Sequence, residues 1–377
     1  MSIHQKHVLV HVTASLSRGG AETVLFNLVR GLQPHYTQYV ISFRDGVFRE
    51  QFEQLGVPVY VVKGNIYTRM IRVWRLLNQL DPAVIHALLW SACALVRLYS
   101  RVRGVPSICA IHSPFNTNTG NSRLRDVLDR CTAKWAAYTV FVSHAVISQA
   151  HIAHFVPLEQ RVLIPNGIAC EDICASATGT PKTREQYGLC SDHFVIGTVG
   201  RLVPVKNQKL LLLLVARLHK RYPQVRLLIV GDGPLREVLE QQVRADGLAA
   251  YVRIVSGLGV EHYQLFDCFV QPSFTEGLSM ALLEAMVCKV PVIAASDSGE
   301  HDVIVYGQTG FLCKPHDLEQ LIQIIARIIQ EPELCRGVAV RASRLMQERY
   351  TVECMIVEYK NLADRVILGK DLAGDDC

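Results

Sequence analysis

The stretch PSFTEGLSMALLEAM (272–286) places two glutamates, Glu276 and Glu284, eight positions apart in an otherwise apolar run. Glu276 adjoins Gly277 at a strand-to-helix turn, and Glu284 falls two turns into a helix that is apolar nearly all round. A buried carboxylate is costly unless it is paired or hydrogen-bonded. Carboxylates accept from paired hydroxyls, so a ribose or a sugar ring is one fitting partner for Glu284, and a group elsewhere in the protein is the other. The amides of Leu278, Ser279 and Met280 would form the N-terminus of that helix, where backbone N–H groups and the helix dipole favour an anion.

Three more turns lie where open parallel sheets bind ligands. GTVGRLVPVKNQ (197–208) puts Arg201 and Lys206 on one loop after a strand. Two cations there suit a diphosphate, because they neutralise charge on a leaving group, and they also suit an ordinary solvated surface. TASLSRGGAET (13–23) sets Gly19 and Gly20 directly before a helix, which fits either a close anion approach or a tight turn. No GxGxxG follows a strand, so the dinucleotide fingerprint is absent. VGDGPL (230–235) is explained by its turn-formers alone. His112 ends the strand SICAIH and is the histidine candidate of the N-terminal half, as a site residue or as a core histidine; His86 also reads as a strand end and ranks below it.

The elements that must hold these residues alternate. HVLVHV (7–12), QYVISF (38–43), VPVYVV (57–62), AVIHAL (83–88), SICAIH (107–112) and YTVFVS (138–143) read as strands, most of them separated by helical stretches. AETVLFNLVRGL repeats its apolar residues at helix period. Residues 164–188, rich in Pro, Gly, Ser and Thr, read as a linker. A second series begins at HFVIGTVGR (193–201) and continues through VRLLIV, YVRIVSG, CFVQPS and PVIAAS, with a mostly helical tail from about 317. Such alternation implies parallel sheets covered on both faces, an α/β class with two doubly wound domains. Ligands of such sheets bind at the carboxyl ends of the strands.

Composition narrows the classes. At 377 residues and 50% hydrophobic, the chain supplies two cores. Its twelve cysteines form no CxxC pair and no structural-zinc pattern, which fits thiols in a reducing compartment. The N-terminal apolar stretch is too short for a secretory signal, and residues 83–96 are too short to span a bilayer, so a cytoplasmic location is expected, with the inner face of the plasma membrane as an alternative. Net charge is +5 and uneven: residues 1–185 carry 19 Lys+Arg against 11 Asp+Glu, the remainder 20 against 23. Arg69, Arg72 and Arg75, followed by Arg97, Arg101 and Arg103, recur along helical stretches. They form either a solvated face or one that meets anionic lipid. No aromatics interleave as a nucleic-acid platform would require.

Taken together and in order, GGAE (19–22), IPNGI (164–168), GRLVPVKN, VGDGP, E-x7-E over Glu276 to Glu284, and GQTGFL (307–312) resemble the retaining glycosyltransferases of family 4 over about residues 7 to 350. The resemblance implies a GT-B fold, two Rossmann-like domains facing a cleft. The expected boundaries are 1–175 for acceptor binding, 190–350 for the nucleotide sugar, and 351–377 as a helix and tail packing back toward the first domain. It also implies roles. Arg201 and Lys206 would grip the donor diphosphate, Glu284 the ribose, and Glu276 the hydroxyls of the transferred sugar. Gly277 and the amides of Leu278, Ser279 and Met280 would line the donor site. Gly19 and Gly20 would border the phosphate, and His112 would lie near the anomeric carbon and the acceptor.

Two departures from the family pattern stand out. Leu278-Ser279 replaces the usual Phe-Gly or Leu-Pro, and SDSGEHD replaces Gly-Gly-x-Pro-Glu, with Asp302 at the glutamate position and no proline. Both loops would line the donor sugar. The implied activity is a hexosyl- or N-acetylhexosaminyltransferase using a nucleotide-diphosphate sugar, UDP by default, as co-substrate. Its acceptor would be a glycan or a lipid-linked glycan in surface polysaccharide, lipopolysaccharide or glycoconjugate synthesis. No DxD triad occurs, so neither a metal nor any other cofactor is required by the sequence. Competing readings are a nucleotide-sugar epimerase or hydrolase on the same fold, a non-catalytic partner subunit, and a dehydrogenase, which the missing GxGxxG disfavours.

Overall fold

The computed structural model describes residues 6–113, 122–179, 182–257 and 259–369. The chain divides into two units, residues 1–167 with 352–377, and residues 168–351.

In the first unit β1 (Val8–Thr13), β2 (Thr37–Ser42), β3 (Val59–Val61), β4 (Val84–Leu88), β5 (Ser107–Ile111), β6 (Tyr138–Phe141) and β7 (Arg161–Leu163) form one parallel sheet in the order β3-β2-β1-β4-β5-β6-β7. The central strands are continuous Val/Ile-rich runs because helices cover both faces. The helix Gly20–Leu32 buries Val24, Leu25, Leu28, Val29 and Leu32, a 3.6-period stripe. The terminal helix Val352–Ile367 lies against it so closely that a Cβ at Gly31 would fall 1.9 Å from the Ile356 Cδ1 atom.

Some polar groups inside this unit pair with each other. His11 and His86 face each other in the β1–β4 register. The His11 Nε2 atom lies 2.8 Å from the Gln38 Oε1 atom, and its Nδ1 atom lies 3.1 Å from the His86 Nδ1 atom. Because the Gln38 carbonyl only accepts, His11 donates from Nε2 and receives the His86 Nδ1 proton. Burial lowers the His11 pKa to about 4, so the pair is neutral. His86 thus sits in mid-strand, not at a strand end as the sequence suggested, and its partner is another core histidine.

Arg97 also departs from the sequence reading. It lies in the helix Trp90–Arg103 but is fully buried, with its Nη2 atom donating to the Asp129 Oδ1 atom at 2.6 Å. The Trp90 indole N–H donates to the other carboxylate oxygen at 2.9 Å. Arg97 therefore belongs to the core and not to the exposed basic row.

The second unit holds β8 (Phe194–Val199), β9 (Val225–Val230), β10 (Val252–Val255), β11 (Cys268–Gln271), β12 (Val292–Ala295) and β13 (Phe311–Cys313) in the order β10-β9-β8-β11-β12-β13, all parallel. Its core lies between this sheet and helices such as Gln208–Leu218, which buries Leu210, Leu211, Leu214, Val215 and Leu218. Residues 164–188, read as a linker, contain the helix Cys170–Gly179, which packs against the helix Met280–Val287. Glu171 and Asp172 in its first turn suit the helix dipole.

Removing one partner of the Arg97–Asp129 pair strands a buried charge. Asp129→Ala is expected to lower stability by about 3–5 kcal/mol, read as a shift of the urea unfolding midpoint with an unchanged slope.

Candidate functional site

The strand order fixes where the second unit can bind a ligand. β8 has β9 on one side and β11 on the other, so the chain leaves the sheet in opposite directions there and a crevice opens at the carboxyl ends. The loops that follow β8 and β11 carry Arg201, Lys206 and Glu276.

The loop after β8 is held on three sides. At Gly231 in the next turn a Cβ would lie 2.0 Å from the Gly200 carbonyl oxygen, so only glycine lets the two backbones meet. The Leu202 N–H donates to the Asp232 carbonyl at 2.9 Å, and the Gln208 side chain donates to the Arg201 carbonyl at 2.9 Å. Asn207, left-handed with φ 53°, donates to the Pro272 and Pro315 carbonyls at 3.2 and 3.0 Å. The Phe274 N–H donates to the Val205 carbonyl at 2.9 Å, which ties this loop to the one after β11.

Across that tie the Lys206 Nζ atom donates to the Glu276 Oε1 atom at 2.5 Å, with both side chains largely withdrawn from water. The Arg201 guanidinium is exposed and makes no ion pair or hydrogen bond among the described residues. Gly277 and Leu278 lead to Ser279, the N-cap residue of the helix Met280–Val287, whose side chain makes no cap hydrogen bond.

Glu284 lies on the second turn of this helix. The Tyr263 hydroxyl is 2.8 Å from the Glu284 Oε2 atom and 2.9 Å from the Ala281 carbonyl. Burial raises the Glu284 pKa to about 7, against the opposing effect of the Tyr263 hydrogen bond. A third carboxylate, Glu300, is fully buried and accepts from the Gln271 Nε2 atom at 3.0 Å. Burial, then the charge of Glu276, pushes Glu300 up to about 7, with Lys206 opposing.

Lys206 and Glu276 thus meet directly, Glu284 meets Tyr263, and Leu278, Ser279 and Met280 lead into the helix. Gly19 and Gly20, the extended N-cap and first residue of the helix Gly20–Leu32, lie in the first unit, as does His112. Burial lowers the His112 pKa to about 4, with Asn166 opposing. Tyr263, Gln271 and Glu300 escaped the sequence reading. Tyr263 sits in a stretch without a motif, and Gln271 reads as one more strand residue. Asn207 adjoins Lys206 in the KN dipeptide, which did carry a signal. Among the described residues Cys190, Asp192 and His193 could together offer metal ligands, but they lie on the surface outside these loops, and the His193 Nδ1 atom already accepts the Cys190 N–H at 2.9 Å.

Comparison with known proteins agrees with this arrangement. Residues 179–344 match the model for glycosyl transferases group 1, and residues 18–172 match that for glycosyltransferase family 4. EpsF of Bacillus subtilis (strain 168), assigned as a glycosyltransferase, is 30% identical over 320 residues, 79% of this chain and 81% of that protein. The GDP-mannose-dependent alpha-(1-6)-phosphatidylinositol monomannoside mannosyltransferase of Mycolicibacterium smegmatis is 29% identical over 216 residues, 54% of this chain and 56% of that protein. The crystal structure of Anabaena HepE with UDP superposes with a TM-score of 0.83 at 23% identity, covering 94% of this chain and 99% of that one.

Glu300 has a folded-state pKa near 7 against an ordinary 4.5, so the folded chain keeps a proton that the unfolded chain releases. The stability it contributes is complete below pH about 4.5 and is lost as pH rises through about 7. At 1.36 kcal/mol per pKa unit the loss is about 3 kcal/mol. Denaturant unfolding at pH 5 and pH 8 should show wild type losing more stability than Glu300→Gln between the two.

Proposed function

The chain belongs to the family 4 glycosyltransferases, and from that membership we propose a retaining enzyme that moves a sugar from a UDP-linked donor to a glycan or lipid-linked acceptor in surface polysaccharide or glycoconjugate synthesis. Its two parallel-sheet units are of the GT-B class, and its donor is a nucleotide sugar. The observation that carries the donor-site reading is the Lys206–Glu276 pair at 2.5 Å across the β8–β11 crevice.

Arg201 and Lys206 take the diphosphate, and Glu276 holds the Lys206 ammonium in place. As the sugar–phosphate bond breaks, charge grows on the departing diphosphate, and two fixed cations and a helix N-terminus stabilise it more than they do the intact donor. Glu284 and Tyr263 receive the ribose hydroxyls. Glu276 orients the transferred sugar; with its Oε1 atom bound by Lys206 it is a poor nucleophile and serves as a positioning group. The acceptor oxygen attacks from the face the diphosphate leaves, and the diphosphate takes its proton. His112 serves the anomeric carbon and the acceptor, and the Gly19–Gly20 turn, at a helix N-terminus, offers N–H groups to a phosphate. HepE was crystallised with UDP and with UDP-glucose, which supports uridine; the mycobacterial relative's name specifies GDP-mannose.

An anionic membrane is the proposed docking partner on the acceptor side. No helix among the described residues is long and apolar enough to cross a bilayer. The helix Ile66–Leu80 contains no acidic residue and exposes Ile66, Tyr67 and Ile71 beside Arg72 and Arg75. A shallow depression in the same unit is lined by Arg101, Arg130, Lys134 and Trp135. Apolar tips and cations together suit headgroups and the acyl boundary beneath them.

Titration calorimetry with UDP, GDP, ADP and dTDP should find one diphosphate that binds, UDP on this reading. Arg201→Ala and Glu284→Ala should each weaken it at least tenfold, and Lys206→Ala should lower kcat/KM by about 100-fold or more. If wild type binds none of the four, the donor-site reading is lost. Flotation at low salt should recover the protein with phosphatidylglycerol vesicles and not with phosphatidylcholine vesicles, and Arg72→Glu with Arg75→Glu should abolish recovery.

A further inference from the structure

A serine at a helix N-cap ordinarily turns its hydroxyl onto the first free N–H groups of the helix, and this cap is worth a factor of several in stability. Ser279 occupies the N-cap of the helix Met280–Val287 and makes no such bond. Its hydroxyl donates instead to the Gln271 Oε1 atom on β11 at 2.7 Å. Gln271 cannot turn freely, because its Nε2 atom donates to the Glu300 Oε1 atom at 3.0 Å. The amide thus presents its NH2 to Glu300 and its oxygen to Ser279. All three side chains are buried, at 6%, 3% and 0% exposure for Ser279, Gln271 and Glu300. The Glu300 segment is also fastened to the donor loop, since the Gly299 N–H donates to the Glu276 carbonyl at 3.1 Å.

We propose that Gln271 and Glu300 are positioning residues that hold the Ser279 hydroxyl away from its own helix, so that the N–H groups opening that helix stay free for the donor's phosphate or sugar oxygens. The inference rests on the donor-site reading above. Without the chain Glu300–Gln271–Ser279, the serine would cap the helix and compete with the ligand for the same donors. The capped form would be the more stable fold and the weaker binder, a trade of stability for a site that stays open. Gln271 and Glu300 act through Ser279 and need not touch substrate.

The test is a double-mutant cycle. Wild type, Gln271→Met, Ser279→Ala and the double variant are first shown to be folded by thermal melts. Each is then titrated with whichever of UDP, GDP, ADP and dTDP the wild type binds most tightly. Gln271→Met is expected to bind about five- to tenfold more weakly, because the released hydroxyl takes the helix N–H groups. In the Ser279→Ala background, which has no hydroxyl to release, Gln271→Met should cause no further loss. A loss that persists there, or no loss in Gln271→Met, overturns the proposal and leaves Gln271 a packing role. Glu300→Met, which also removes a buried charge, goes through the same cycle should Gln271→Met not fold. A wild type that binds no diphosphate refutes the donor reading itself, which is a different outcome from a wild type that binds while the cycle is additive.

Discussion

The second unit depends on one largely buried contact between a lysine and a glutamate. Lys206 and Glu276 stand 70 positions apart in the chain and 2.5 Å apart in space. Only the strand order brings them together, because β8 and β11 are neighbours while the chain between them builds β9 and β10 on the other side. Withdrawing both charges from water costs several kcal/mol per ion, and their attraction offsets this only if the geometry is held. The surrounding bonds hold it. Asn207 spans to the Pro272 and Pro315 carbonyls, Phe274 to Val205, and Gly231 allows a backbone contact that any side chain would block. A surface pair of the same residues would tolerate looser loops and would be worth little.

Charge is unbalanced around this pair. Glu276 and Glu300 act on each other, Glu284 lies on the second turn of the helix that follows Glu276, and Lys206 pairs with Glu276. The other two respond as buried acids do, with pKa values raised toward neutrality. A fold selected for stability alone would place apolar residues at such positions. Buried acids and an uncapped helix terminus are each unfavourable by themselves, and the exposed Arg201 guanidinium makes no ion pair or hydrogen bond among the described residues. Together they complement a ligand that carries hydroxyls at its ends and negative charge in its middle, and this complementarity is the physical content of the sugar-nucleotide proposal.

The sheet strands and the main helices were legible because their periods are local. The alternation of apolar runs with 3.6-period stretches is visible without any tertiary information, and E-x7-E and the Arg–Lys loop are sequence-local too. What failed was non-local. β7 and β13 have three residues each, too few for a period. The helix Cys170–Gly179 was hidden in a composition of Cys, Ala, Ser, Thr and Gly, and it is stabilised by packing on Met280–Val287. Arg97 sits with Arg101 and Arg103 on one helix, yet it points inward to Asp129, 32 positions away. Spacing states which residues share an element and does not state which charge has a buried partner.

Ser279 shows the same limit from the other side. In the family pattern the chain resembles, glycine or proline is usual at this place, and neither has a side chain able to cap. Here a serine follows Leu278, and the segment SDSGEHD, which departs from Gly-Gly-x-Pro-Glu, brings Glu300 at the position that pattern leaves open. Read along the sequence, these are two unrelated departures. In space they are the two ends of one hydrogen-bonded chain through Gln271. A hydroxyl at the helix N-cap is compatible with an open anion site only if something stronger than the helix holds it, and a buried amide oriented by a carboxylate does so. The departures therefore constrain each other. Serine without Glu300 would close the terminus, while Glu300 without a hydrogen-bonding chain to hold would be a buried acid at a cost and to no purpose.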